Sequence, residues 1–347
     1  MLRFLITRIG VMILTALCLT FFVFFLTNLY PQLEKLAKTE GNMRMTDAQV
    51  VSWLDKNGYT QPMATRYGQW LGVLPYAHPA PEDGIASRCK RVNADGTPPT
   101  FCGIIQGYWG FSTVFKEPVW DIIKKRLAAT GMLMFWVMVV MVPMALTIGV
   151  LAGMREGSRT DRSLSTFSIA STATPEYVSG VILIVVFASS VVGLKWFKGT
   201  ATSALDKGIT FENFTLPVMT MALYGMGYIA RMTRASMAEV MTAQYIRTAR
   251  LKGVAFHNIV IKHALRNALI APFTVIMLQF PWLLTGVVIV EILFNYKGFG
   301  WTLVQAAGNN DIELLLGCSV VAVFVVLITQ LISDIGYVYL NPRIRVS

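Results

Sequence analysis

An all-α integral membrane protein is the fold class this sequence predicts, and three observations carry the prediction. Hydrophobic residues make up 54% of the 347 positions and charged residues only 14%, a balance outside that of soluble globular domains. Uncharged runs recur along the chain, and about 20 helical residues cross the hydrocarbon of a bilayer. The charges between those runs are sorted by side. With six spans placed as below, the segments on one side hold 14 Lys and Arg against 4 acids, and those on the other 16 against 14. Nearly all of the net charge of +11 therefore sits on one side, as cytoplasmic loops require. That distribution argues against a nucleic-acid surface.

The spans follow in order. Arg3 and Arg8 precede an uncharged run from Ile9 to Tyr30, the first span, with its amino end inside. A cleaved signal peptide fits less well, since Thr27 to Pro31 offers no small-residue site, and Leu17 before Cys18 is too large for a lipoprotein site. Gln32 to Arg126 is polar and too long for a turn, so it reads as a periplasmic loop or subdomain; the chain divides into 1–31, 32–126 and a core of five further membrane helices at 127–347. Leu127 to Met154 is the second span, with Pro143 as a site for a kink, and Arg155 to Arg162 returns to the cytoplasm. The third span covers Ser163 to Leu194 and contains Pro175 and Glu176. Phe214 to Ala230 is a short fourth span in which Gly225 and Gly227 permit close helix contact, and Arg231 and Arg234 mark its cytoplasmic end. Ala268 to Val290 is the fifth. Glu291 to Glu313 lies outside, its Trp301 to Ala307 stretch suited to the membrane surface. Leu314 to Ser333 is the sixth, which leaves both termini cytoplasmic.

Few residues within the spans carry chemistry. An ionised Glu176 facing lipid would be costly, so it must face protein, water or a base; it reads either as part of a translocation path or gate, or as a packing carboxylate paired with an arginine. Gln279, the only side-chain amide of the fifth span, either lines a path or bonds between helices. Cys89 and Cys102 are the only cysteines outside the spans. In an oxidising periplasm a structural disulfide is the natural reading, with two free thiols as the alternative and His78 too isolated a neighbour for a metal site. No metal constellation appears.

The chain is organised around its basic connection from Met237 to Pro272. Arg247, Arg250, Lys252, Lys262 and Arg266 stand there against the single acid Glu239. Apolar residues recur at helical spacing on both sides of Gly253, as Val240, Tyr245 and Ala249 before it and Val254, Ile259 and Ile261 after it. The pattern predicts helix, glycine turn, helix, then membrane.

This stretch resembles the cytoplasmic EAA loop of bacterial ABC-importer permeases. The general form matches in part, with Arg247, Thr248 and Ala249 at the Glu-Ala-Ala positions. Y-I-R-T-A-R-L-K-G (Tyr245 to Gly253), followed by H-A-L-R-N-A-L (His263 to Leu269), looks like the dipeptide, oligopeptide and nickel permease branch, first permease type. Leu54 to Tyr67, Gly107 to Thr130, N-Y-K-G-F-G-W (Asn295 to Trp301) and the ending N-P-R-I-R also resemble that branch. Leu74 to Thr100 looks like an insertion, with docking of a binding protein as one reading, and Tyr30-Pro31-Gln32-Leu33 stands where Pro-Gly-Asp-Pro is usual.

The resemblance implies the type I importer permease fold of six helices in the bacterial inner membrane. It implies an ATPase-coupling loop at about 235–267, carried by Tyr245, Arg247, Thr248, Ala249, Arg250, Lys252, Gly253, His263 and Arg266. It implies as partners a homologous second permease, two cytoplasmic ABC ATPase subunits and a periplasmic substrate-binding protein. No Gly-x-x-x-x-Gly-Lys-Ser/Thr occurs, so the chain has no P-loop of its own. It binds no cofactor and is no enzyme by itself; ATP and Mg belong to the partner ATPases. Peptides or peptide-like solutes are the expected cargo, with nickel, opines or glycosides as alternatives within the family. An ion-coupled secondary transporter is the alternative of another class, but it should show more ionisable residues at mid-membrane.

Overall fold

The computed structural model describes residues 2–75, 99–190, 194–205 and 208–340. Among these the regular structure is helical, apart from one isolated bridge between Phe111 and Pro118. The elements are α1 (Leu2–Thr27), α2 (Tyr30–Glu40), α3 (Asp47–Lys56), α4 (Met63–Leu71), α5 (Val119–Gly153), α6 (Arg159–Ala173), α7 (Glu176–Phe187), α8 (Phe211–Met241), α9 (Gln244–Leu251), α10 (Phe256–Asn258), α11 (Leu265–Ala268), α12 (Ile270–Leu293), α13 (Phe299–Gly308) and α14 (Ile312–Leu340). The chain forms two compact units, Met1–Arg126 with Thr302–Val325, and Leu127–Trp301 with Val326–Ser347.

The first unit packs the helices of its polar segment on one another. Phe24 of α1, Leu33 and Leu36 of α2, Val50 and Leu54 of α3, Trp70 of α4 and Leu316 of α14 share one buried cluster. Thr46 opens α3 with a capping box closed by Gln49, which satisfies two of the donors a helix start leaves free. Asp311, fully buried, accepts from the Ser112 hydroxyl at 2.5 Å and from the backbone N–H groups of Val114 and Leu314, both at 3.2 Å. The start of α14 is thereby tied to the segment before α5. Cys102 is fully buried in this unit; Cys89, its expected partner, lies outside the described residues, as do 76–98 of the predicted insertion.

The second unit is built around α8. Seventeen of its 31 residues are buried, and α6, α7 and α12 all pack on it. The glycines expected to allow close contact do so. A Cβ on Gly227 would strike the Ser168 carbonyl of α6, and one on Gly225 the Met141 sulfur of α5. Gly153 of α5 meets α8 in the same way, where a Cβ would stand 2.5 Å from Met237 Cβ and 2.6 Å from the Arg234 carbonyl.

Three helices are long and apolar enough among the described residues to cross a membrane: Ile6–Thr27, Val119–Gly153 and Ile312–Gly336. Up to five spans result if each of two bent helix pairs counts as one. The expected fourth span, α8, falls outside that set. At 31 residues it measures about 46 Å by the helical rise, so length is not what it lacks. Buried among its neighbours, it needs no uniformly apolar surface and carries Thr, Gly and Tyr instead.

The expected third span is not one helix. α6 and α7 meet at Thr174–Pro175 with a bend of 106°. Thr174 and Pro175 have extended ψ values of 121° and 146°, because a residue before proline is driven out of the helical region and proline lacks the N–H that would continue the ladder. By contrast α5 continues through Pro143. The fifth span also ends later than expected. Glu291 belongs to α12 and is fully buried, accepting from the Thr130 hydroxyl and from the Trp301 N–H, the latter at 2.7 Å.

Candidate functional site

The basic loop is a folded platform on the end of α8. Two residues, Thr242 and Ala243, link α8 to α9, which buries one stripe, Ile246 and Ala249, against Met237, Met241, Ile259, Val260, Ala264 and Ala268. Its chain direction reverses at Gly253, with φ +73°, a region glycine enters without the penalty a Cβ brings. The Gly253 N–H donates to the Arg250 carbonyl at 3.0 Å and the Val254 N–H to the Ala249 carbonyl at 3.2 Å, which satisfies carbonyls at the α9 end. The second arm is α10, a π-helical turn at Ile259–Ala264, and α11. It meets α12 at a bend of 53°.

Helix, glycine turn and helix are thus present, but the buried face differs from the predicted one. Tyr245 is 43% exposed and Ile261 is 61% exposed, while Ile246 and Ala264 are fully buried in their place. Ile261 stands two residues from Ile259 and so on the far side of a helical turn, while Val260, Ala264 and Ala268 line the seat at intervals of four. Tyr245 keeps a structural contact, its hydroxyl accepting from Asn267 Nδ2 at 2.9 Å, and so ties the two arms together across the turn.

The outer surface holds Arg247, Thr248, Arg250, Lys252, Gly253, Lys262, His263 and Arg266, all exposed. Ala249 lies beneath them in the seat. Sequence reasoning missed Leu251, which stands 82% exposed between Arg250 and Lys252. A large apolar side chain at a helix tip, ringed by bases, is dear in water and well suited to a partner surface. Its signal was a Leu out of phase with the buried stripe. The loop's neighbour is also in contact, since the Arg155 guanidinium lies 5.4 Å over the Phe256 ring.

An ion pair with a buried carboxylate clasps α6 to α8, the helix on which the platform is seated. Arg234 Nε donates to Asp161 Oδ1 at 3.0 Å and its terminal nitrogen to Oδ2 at 2.8 Å. Asp161 is 3% exposed and also accepts from the Gly157 N–H at 2.9 Å and the Ser165 hydroxyl at 3.1 Å. Outside the apolar run of the third span, its carboxyl is held well below the usual carboxylate range, chiefly by the Arg234 hydrogen bonds, which outweigh the opposing effect of burial. Both residues were legible only as topology charges. They lie 73 positions apart, so nothing local pairs them.

Glu176 and Gln279 belong to another part of the same unit. Glu176 is half-buried at the first position of α7, beside Gly286 of α12. Gln279, also on α12, is 7% exposed. Neither hydrogen-bonds or ion-pairs with the basic loop among the described residues. No group of three or more His, Cys, Asp or Glu able to hold a metal occurs among the described residues.

Comparison with known proteins places this geometry. The family described as "Binding-protein-dependent transport system inner membrane component" matches residues 145–346, which contain the platform, its clasp and α8. The "Probable peptide ABC transporter permease protein y4tP" of Sinorhizobium fredii is 33% identical over 244 residues, covering 70% of this chain and 77% of that protein. The oligopeptide transport system permease protein AppB of Bacillus subtilis is 29% identical over 307 residues, 87% of each chain. A Brucella ovis protein provisionally named a peptide permease is 28% identical over the whole length of both. A crystal structure described as an amino acid ABC transporter with histidines shares 16% identity, covering 62% of this chain and 93% of its own, at a TM-score of 0.46. With the family matched over more than half of its length, the chain belongs to the inner membrane components of binding-protein-dependent transport systems, the permeases of ABC importers.

Proposed function

We propose that this chain forms half of the translocation path of an ATP-driven importer for peptides or peptide-like small solutes, and that its loop at about 235–267 docks on a separate ATPase. The observation that carries the coupling reading is the platform itself. Arg247, Arg250, Lys252 and Leu251 stand exposed on a short helix whose other face is seated on α8, so a push on α9 is a push on the helix at the centre of the unit. The peptide cargo rests on the names of the relatives.

The whole transporter then consists of this permease, a homologous second permease, two ATPases that bind ATP and Mg, and a periplasmic binding protein that sets most of the selectivity. Both termini and the platform face the cytoplasm, in keeping with the bias of the basic residues. ATP-driven closure of the ATPases moves the docked loops, and the spans rock between inward-open and outward-open states.

The test is affinity copurification of the chain with its genomic neighbours, with ATPase activity and uptake of radiolabelled tri-alanine read in proteoliposomes. ATPases and a second permease should copurify, and Gly253→Pro should lose assembly or coupling, because proline cannot adopt positive φ and removes the N–H bound to Arg250. A chain that purifies alone and transports without ATP refutes the coupling reading and puts a secondary carrier first. Coupled transport that ignores tri-alanine refutes the peptide cargo alone.

A further inference from the structure

The helix break at Thr174–Pro175 creates a feature the platform does not use. It sets Glu176 at the start of α7 with its side chain turned toward α12. A Cβ added to Gly286 would stand 3.3 Å from Glu176 Oε1 and 3.3 Å from the Trp282 indole. Carboxylate and indole therefore border the gap left by Gly286, no more than twice that distance apart. Trp282 is stacked on Tyr224, with ring centroids 5.0 Å apart, and Tyr228, one turn further along α8, meets Tyr224 edge-on at 5.9 Å. Tyr224 lies near the middle of α8, far from either end.

Glu176 forms no ion pair with any Lys, Arg or His among the described residues. Arg231, one turn beyond Tyr228, lies over the Tyr228 ring at 5.1 Å. A carboxylate inside the apolar body of a membrane protein is costly unless a cation accompanies it. Aromatic rings attract cations, and in secondary transporters broken helices form solute sites. A half-buried acid beside a glycine gap and stacked rings lacks one component, a positive charge that arrives and leaves.

We propose that Glu176, with the neighbouring rings of Trp282 and Tyr224, is a transit site for the cationic end of the translocated solute, a primary ammonium such as the amino terminus of a short peptide. This rests on the reading of the chain as a permease for peptide-like solutes and names the chemistry of one station on its path. The carboxylate neutralises the ammonium while the rings replace part of its hydration. One acid without further donors holds the charge loosely enough for release.

The test reads charge preference at the gap itself. In membranes containing the full chain and its transporter partners, with Cys18→Ser and Cys318→Ser, the thiol of Gly286→Cys is titrated with two reagents. One is 2-aminoethyl methanethiosulfonate, a primary ammonium, and the other 2-sulfonatoethyl methanethiosulfonate, an anion. The ratio of the two rates should exceed that of free 2-mercaptoethanol by about tenfold, as a nearby unit charge in a low-dielectric site dictates, and Glu176→Gln should abolish the excess. Ser179→Cys, a nearly isosteric reporter one turn along α7, gives the same reading if Gly286→Cys fails to assemble. A ratio unmoved by Glu176→Gln, or thiols inert to both reagents at both positions, overturns the proposal; a base supplied by the partner permease would produce the first of these. The ratio can be read whether or not ATPases copurify, so its failure and that of the permease reading are distinct results.

Discussion

Arg234→Ala should be among the most destabilising single changes in the second unit. The substitution removes both charge-assisted hydrogen bonds, at 3.0 and 2.8 Å, from a carboxylate that is 3% exposed. Asp161 keeps only the Gly157 N–H and the Ser165 hydroxyl. Stranding one member of a buried pair costs about 3–5 kcal/mol. The Arg234 side chain is itself 31% exposed, which places the expectation near the lower end, about 3 kcal/mol. At 2–4 °C per kcal/mol for a unit of this size, the melting temperature should fall by roughly 6–12 °C. The assay is thermal unfolding of the purified chain in detergent, with a double-mutant cycle through Asp161→Asn. Arg234→Lys should fall between, since an ammonium cannot reproduce the bidentate fork. Glu156→Ala, which removes an exposed partner 3.4 Å from the same guanidinium, should cost less than about 1 kcal/mol. Since Asp161 is held below its ordinary range, the clasp is complete at neutral and mildly acid pH. Its contribution is lost only as the pH falls from about 4 toward the depressed value. An Arg234→Ala loss below about 1 kcal/mol, or single effects that simply add in the cycle, would refute the reasoning.

Further outcomes follow from the platform and the helix crossings. Leu251→Asp should leave the melting temperature within about 2 °C, as its side chain is 82% exposed and exposed changes are near neutral, yet reduce ATPase copurification several-fold; a retained complex would show that the tip is not a contact. Ile246→Ala removes a fully buried side chain and should cost about 2–5 kcal/mol, read as a drop in melting temperature together with protease cleavage within α9. Gly153→Val puts a side chain where Met237 Cβ and the Arg234 carbonyl leave no room, so it should lower the yield of folded protein on size exclusion far more than Gly131→Val, whose Cβ meets nothing within 4 Å.

The sequence by itself determined the membrane class, the first, second and sixth apolar helices, the basic loop and the turn at Gly253. These are local properties. A lipid solvent demands long uncharged runs, and a reversal after a helix demands a residue at ease with positive φ. Tertiary structure decided what depends on partners distant in the chain. It made α8 a buried hub whose polar residues need no lipid-facing surface, and it paired Arg234 with Asp161 across 73 positions. It also placed a bend of 106° at Thr174–Pro175, whereas Pro143, equally visible in the sequence, left α5 continuous. A proline permits a break but does not impose one; neighbouring helices select which conformation packs. For the same reason the inward face of the platform was fixed by what packs on it, since Val260, Ala264 and Ala268, spaced four apart, share the buried cluster with Met237 and Met241 of α8, while Ile261, two residues from Ile259, faces the other way.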